Sequence, residues 1–291
     1  MTRHWSPPDP ASLPKDAGLD SRTGRFELSF NRHGDVTRIG NQFVSYPFHF
    51  TRPFALDGDI PALLTAYQQS SSGGLYRGDV LRTRLTIGAQ AAAHVTTQAA
   101  SVVHDCQGRA ATQEALIDVG PDAFIAYTPD PLVLFPGASI DTHIAVDMHR
   151  DAVVLLQDAF AWHDPSEKGR RFDRIESGVS VHTPDGGLLV RERFSITGDG
   201  LATAFAGSRN WQTVSNFLLL GPQDRLPDRE HLRRELETED ALAGISALPG
   251  GMGWCVRCLS TNARAAKQLA STLFGSAVMA RFGTPPAPRR K

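Results

Sequence analysis

Three stretches decide the fold: Leu85-Thr-Ile-Gly-Ala-Gln-Ala91, Ile117-Asp-Val-Gly-Pro-Asp-Ala123 and Val146-Asp-Met-His-Arg-Asp-Ala152. Each is a short strand-like run, a turn of polar or glycine residues, and an alanine. Each then leads into a second run that ends at polar residues: Thr96-Thr97-Gln98, Thr128-Pro129-Asp130 and Gln157-Asp158. The alanines stand 32 and 29 residues apart, a spacing that belongs to stacked supersecondary units. Such units cannot bury an apolar face alone, so stacking them builds a layered or helically coiled architecture. Short strands of any all-β protein can resemble one another without a repeat. The pattern predicts a mainly β fold of stacked β-hairpins, a layered β-helix-like sandwich.

Outward from this block, Phe26, Leu28 and Phe30 alternate with polar residues, and His33-Gly34-Asp35 turns the chain into Val36 to Ile39, a first hairpin. Residues 1–23, rich in proline, read as a disordered tail; 24–283 reads as one β domain; 284–291, rich in proline and arginine, reads as a loose tail. Residues 161–174 are polar and charged and read as an exposed loop. Strands resume at Val179 and Leu188 and at Trp211 to Leu220. Two C-terminal α-helices close the domain. Asp228 caps the first, over Arg229 to Thr238. Asn262 caps the second, where Ala265, Leu269 and Leu273 recur at helical spacing and Phe274, Ala277 and Val278 widen the stripe.

Composition excludes several classes. Of 291 residues, 41% are hydrophobic and 21% charged, an ordinary balance for a chain with a real core. A net charge of −1 gives no electrostatic case for nucleic acid or an anionic membrane. No apolar run approaches the roughly 20 residues of a membrane span. The N-terminus carries no secretory apolar segment, and three cysteines fit a reducing cytosol, so the expected location is cytoplasmic.

No convincing catalytic set emerges. Cys255-Val-Arg-Cys258 lacks a second metal-binding pair, and on a strand its thiols point to opposite faces. Gly73, Gly74 and Gly78 lack the lysine and following helix of a phosphate loop, and serve a tight turn instead. Asp57 and Asp59 have the form of a catalytic pair, yet Asp-Gly-Asp between strands also reads as a plain turn. His163-Asp164 lies in a loop and reads either as a transient cation ligand or as a solvated pair.

Three segments in order carry a resemblance: Gly73-Gly74…Gly78-Asp79; Ala93-His94-Val95-Thr96-Thr97-Gln98-Ala99-Ala100-Ser101; and Pro129-Asp130-Pro131-Leu132-Val133-Leu134-Phe135-Pro136-Gly137. Together they resemble the UreD/UreH family of urease accessory proteins. The resemblance implies no catalytic turnover but a scaffold between apo-urease and a UreF-like accessory protein, through which a UreG-like GTPase is reached. It implies no tightly bound cofactor, only transient nickel passage. By the resemblance, Asp79, Ser101, Asp158 and Glu192 fall on an internal polar nickel route. Oxygen ligands hold nickel loosely enough to release it. Alternatively, Asp79 caps its own turn and Glu192 pairs with a neighbouring arginine. Gly73, Gly74, Gly78, Thr96, Thr97, Asp130, Pro131 and Phe135 fall on the family's motif positions. The chain departs from the family at Trp162-His163-Asp164-Pro165, where a Gly-Arg…Gly-Glu segment is usual, and in its tail, which lacks the usual aromatic ending. Two rival expectations remain: a divergent paralogue serving another metalloenzyme, and a β-solenoid carbohydrate-active enzyme using Asp57, Asp59 or Asp79.

Overall fold

A computed structural model describes residues 21–289. Thr23–His33 (β1) and Val36–Val44 (β2) form the expected hairpin; Phe48–His49 (β3) and Leu63–Ser70 (β4) follow. Three coils come next. The first is Val80–Ile87 (β5), Ala92–Thr97 (β6) and Val102–Val103 (β7). The second is Ala111–Val119 (β8), Phe124–Tyr127 (β9) and Leu132–Leu134 (β10). The third is Ser139–Met148 (β11) and Val153–Trp162 (β12). Arg174–His182 (β13) and Leu188–Ile196 (β14) return as a hairpin. The remainder is Gly198–Ala204 (α1), Thr213–Leu220 (β15), Arg229–Leu236 (α2), Ala241–Ala247 (β16), Gly253–Ser260 (β17) and Ala263–Phe282 (α3).

The stacked, coiled β architecture is borne out, with one correction to its unit. The two strands of each repeat are not paired with each other as a hairpin. Instead β5, β8 and β11 pair in parallel in one sheet, while β6, β9 and β12 pair in parallel in the other. Each repeat is therefore an arch that turns a corner between two sheets, and its strands find their ladder partners in neighbouring coils rather than in each other. The corner alanines Ala91, Ala123 and Ala152 are wholly buried and stack. The Ala91 carbonyl accepts Phe124 N–H at 3.0 Å, and the Ala123 carbonyl accepts Val153 N–H at 2.9 Å. An alanine is all the corner can hold, which is why it marks the period.

The first sheet runs β14-β13-β11-β8-β5-β1-β2; the second runs β16-β17-β15-β12-β9-β6-β4-β3, with β10 and β7 branching from β12. Alternation along each strand splits the apolar residues into two cores. Phe26, Leu85, Ile117, Val146 and Leu156 fill the space between the sheets. Phe124, Leu155 and Phe217 face α2 and α3 through Leu232, Leu269, Leu273 and Phe274. The result is three layers: sheet, sheet, helices. Both predicted caps form: Asp228 Oδ1 accepts His231 N–H at 2.8 Å, and Asn262 Oδ1 accepts Ala265 N–H at 2.9 Å. Helix α1, with two glycines in seven residues, has too little propensity to stand out in the sequence.

Residues 1–20 lie outside the described residues, and β1 already begins at Thr23. The segment after α3 lies against the second sheet as far as Arg289, whose guanidinium pairs with the buried Asp57.

Candidate functional site

The glycine turn before β5 is held by Asp79. Its side chain is fully buried and accepts Tyr76 N–H at 2.9 Å, Arg22 N–H at 3.0 Å and Arg22 Nε–H at 3.2 Å, with an ion pair to Arg22 besides. Arg22 also donates to the Gly74 carbonyl at 2.9 Å. Gly74 has φ +134°, and a Cβ there would stand 2.3 Å from the Val102 carbonyl oxygen, so the close approach of this turn to the next coil requires glycine. Asp79 therefore caps its own turn, and all of its acceptor capacity is in use.

The other motif residues staple neighbouring coils. Thr96 Oγ1–H donates to the Thr128 carbonyl at 2.6 Å, and Thr97 Oγ1 accepts Asp130 N–H at 2.8 Å. Pro131 lies in the turn that these bonds fix, ahead of β10. Ser101 presents its carbonyl to Val133 N–H at 2.9 Å. Phe135 packs edge-on to His104, whose Nε2–H donates to the Gly73 carbonyl at 3.0 Å.

Asp158 and Glu192 come together, away from Asp79 and Ser101. Position 158 is an even residue of β12, the side that carries Leu156 and Phe160 into the space between the sheets. Glu192 of β14 points inward between Val190 and Phe194. Both carboxylates line a small cavity of about 10 Å³ with Ser177, Asn216, Ile144 and Leu156. Ser177 Oγ–H donates to Asp158, and burial, then the facing Glu192 charge, push the Asp158 carboxyl above the ordinary carboxylate range. Glu192 accepts Arg257 Nη2–H at 3.0 Å and the Cys255 thiol at 3.4 Å.

Sequence reading missed the groups that connect these sites. The Gln68 side chain donates to Thr83 Oγ1 at 2.8 Å, inside the sandwich. Thr83 in turn meets the phenol of the fully buried Tyr127, which burial pushes up to about 12 and which feels the Asp158 charge. Gln68 also lines a cavity of about 230 Å³ with Ser101, Thr97, Gly73 and Gly74. A line of polar groups therefore crosses the apolar interior from the Ser101 cavity through Gln68, Thr83 and Tyr127 to Asp158 and Glu192. Register explains it. Thr83, Ala115, Ile144, Val179 and Glu192 share one rung of the first sheet. Tyr127, Leu156, Leu218 and Cys255 share one rung of the second.

The rival sites fare differently. Asp57 is buried in the Arg289 ion pair while Asp59 is exposed, so they form no catalytic pair. Asp79 is committed to Arg22. Asp164 accepts N–H groups of Ser166, Lys168 and Arg170 at 3.1, 3.0 and 3.0 Å, which occupies it within its own loop. Cys255 packs in the inter-sheet core and Cys258 in the helix-side core, on opposite faces as expected. Among the described residues no three His, Cys, Asp or Glu side chains lie close enough together to hold a metal ion. No described helix is long and apolar enough to cross a membrane.

The family described as "UreD urease accessory protein" matches residues 22–291. The chain is 38% identical over 272 residues to urease accessory protein UreD 1 of Bradyrhizobium sp. (strain BTAi1), covering 94% of this chain and 96% of that one. It is 35% identical over 285 residues to urease accessory protein UreD 1 of Methylorubrum extorquens (strain PA1), covering 98% and 96%. A UreD 1 of Pseudomonas syringae pv. syringae (strain B728a) is 33% identical over 97% of this chain. These relatives are named as accessory proteins, not as enzymes. With a match that spans nearly the whole chain, this protein belongs to the UreD family of urease accessory proteins.

Proposed function

We propose that the protein acts in urease maturation as a non-catalytic scaffold, and that nickel on its way to apo-urease passes along the polar line between its sheets. Apo-urease and a UreF-like protein are its partners in this reading, with a UreG-like GTPase reached through the latter, in the cytoplasm.

One observation carries the route: Asp158 and Glu192 face the same small cavity inside an otherwise apolar sandwich. Both are half-buried, and carboxylates drawn into an apolar interior cost stability that an apolar pair would not, so their presence calls for a use. A cavity of this size accommodates about one water or a bare ion. Carboxylate, hydroxyl and amide oxygens from Asp158, Glu192, Ser177 and Asn216 make a hard, weakly holding set that suits release rather than storage. In this reading Asp79, held by its ion pair with Arg22, contributes by fixing the turn beside the Ser101 cavity rather than as a ligand.

The test is co-expression with apo-urease and the other accessory proteins, scoring nickel in purified urease. Deleting this chain is expected to abolish loading. Asp158→Ala and Glu192→Ala are expected to lower it while the variant still co-purifies with its partners. If deletion leaves nickel unchanged, the urease role fails; if only the two variants load normally, the scaffold stands and the route does not.

A further inference from the structure

An apolar recess that the route does not use opens over the ends of β10 and β12. Residues 163–173, α1 and residues 205–212 enclose a cleft of about 580 Å³. Its floor is apolar: Leu134, Trp162, Phe172, Leu201 and Phe205, with Trp211 at the side. Trp162 and Phe205 stack with ring centroids 6.2 Å apart, but neither is fully buried. The elements around this floor are too short and too rich in glycine to close over it.

The rim is cationic. Arg170, Arg171 and Arg209 surround the cleft, and all three are exposed. The single carboxylate on the lining, Asp164, accepts N–H groups of its own loop and also pairs with Arg170 at 3.2 Å, which offsets one of the three charges. Arg171 meets only the well-exposed Asp199 at 2.7 Å, a surface pair of little strength. Arg209 spends one N–H on the Glu239 carbonyl, which leaves its charge uncompensated there.

The surface continues beyond the cleft as a strip of rings, one from each successive coil edge. His163 meets Phe135 at 5.9 Å, Phe135 meets His104 at 5.5 Å, and His104 stacks on Tyr76 at 4.4 Å. A compact ligand would fill the cleft and ignore the strip. An extended chain reaches both, since it rises about 3.3 Å per residue and a few residues span the strip. Trp and Arg are the side chains that dominate peptide and protein recognition.

We propose that the cleft and strip form a docking surface for an acidic peptide segment of a protein partner. The segment seats one large apolar side chain against Trp162 and Phe205 and sets flanking carboxylates on Arg171 and Arg209. The surface lies outside the polar line, so it stands or falls separately from nickel passage.

The test uses the full chain, immobilised, and a displayed library of random twelve-residue peptides. Enriched sequences are expected to carry an aromatic or leucine flanked by Asp and Glu. A synthetic peptide of the most enriched sequence is expected to bind more weakly at high salt. Trp211→Ala is expected to weaken it at least about tenfold, as is the double variant Arg171→Glu/Arg209→Glu. Leu242→Ala, an exposed site on β16, is expected to change nothing. Circular dichroism confirms folding, and Arg171→Ala/Arg209→Ala replaces any variant that fails to fold. Absence of enrichment, enrichment of non-acidic peptides, or binding that survives these substitutions overturns the proposal.

Discussion

Asp57 and Arg289, 232 residues apart, are joined by two parallel hydrogen bonds, Nη1 to Oδ1 at 2.9 Å and Nη2 to Oδ2 at 2.7 Å. The Asp57 side chain is 1% exposed, and Ala287 N–H adds a third bond at 2.7 Å. The guanidinium also lies over the Phe274 ring and donates Nε–H to His94 at 3.3 Å. This clasp ties the end of the chain across the junction of α3 and the second sheet.

The two halves of the clasp are not equivalent. Arg289 sits near the chain end and can swing into water when its partner is removed, whereas Asp57 cannot leave. Arg289→Ala is therefore expected to cost about 3 kcal/mol, as for a buried charge left unpaired. Asp57→Ala is expected to cost about 1 kcal/mol. Urea denaturation of both variants measures this, and the opposite order sinks the argument.

Asp79→Ala is expected to cost about 3 kcal/mol, because it strands the half-buried Arg22 and frees the glycine turn. In co-expression its effect on urease would then follow the amount of folded protein rather than nickel transfer per complex. A variant that unfolds at the wild-type midpoint yet fails to load nickel would return Asp79 to the route.

Asp158 sets a pH dependence with a definite sign. Its carboxyl is raised above the ordinary value in the folded chain, so the native state binds the proton more tightly than the unfolded one. Stability from this group is present at low pH and falls as pH rises through the folded-state value. Asp158→Asn removes that slope and is expected to stabilise the protein by roughly 1 kcal/mol at pH 8 and less at pH 5. Identical pH slopes for the two proteins would contradict this.

The three thiols are expected to be inert in the native protein. Cys106, Cys255 and Cys258 are all buried and out of a reagent's reach; burial also raises Cys255 and pushes Cys258 up to about 12, so little thiolate exists at these two at pH 8. A disulfide-exchange reagent should titrate them only after guanidinium is added. Rapid native labelling at Cys255 would mean that the cavity beside Glu192 opens to solvent.

Much of the architecture was legible in the chain. The corner alanines and the capped helices are local: a corner that admits only a methyl group, or a helix start that needs Asp228 or Asn262, leaves its mark within a few residues. The motif around Thr96, Thr97 and Asp130 was legible too, since it is a staple repeated between neighbouring coils. What looked like hairpins proved to be arches, because strand–turn–strand is one pattern in sequence whether the strands pair with each other or with the next coil. β16 went unread as an edge strand of small residues, Ala241–Ala247.

The sequence by itself determined that strands would stack, where the corners fall, and which family motifs the chain carries, because these depend on residue type at short spacing. Only the tertiary structure decided which candidate carboxylates meet. Asp79 and Asp57 were taken by arginines from distant segments, while Glu192, itself paired with Arg257, was brought with Asp158 to one cavity with Thr83 and Tyr127 close by. Parallel register across two sheets set that outcome, and register is fixed by burial summed over whole strands rather than by any residue near the site.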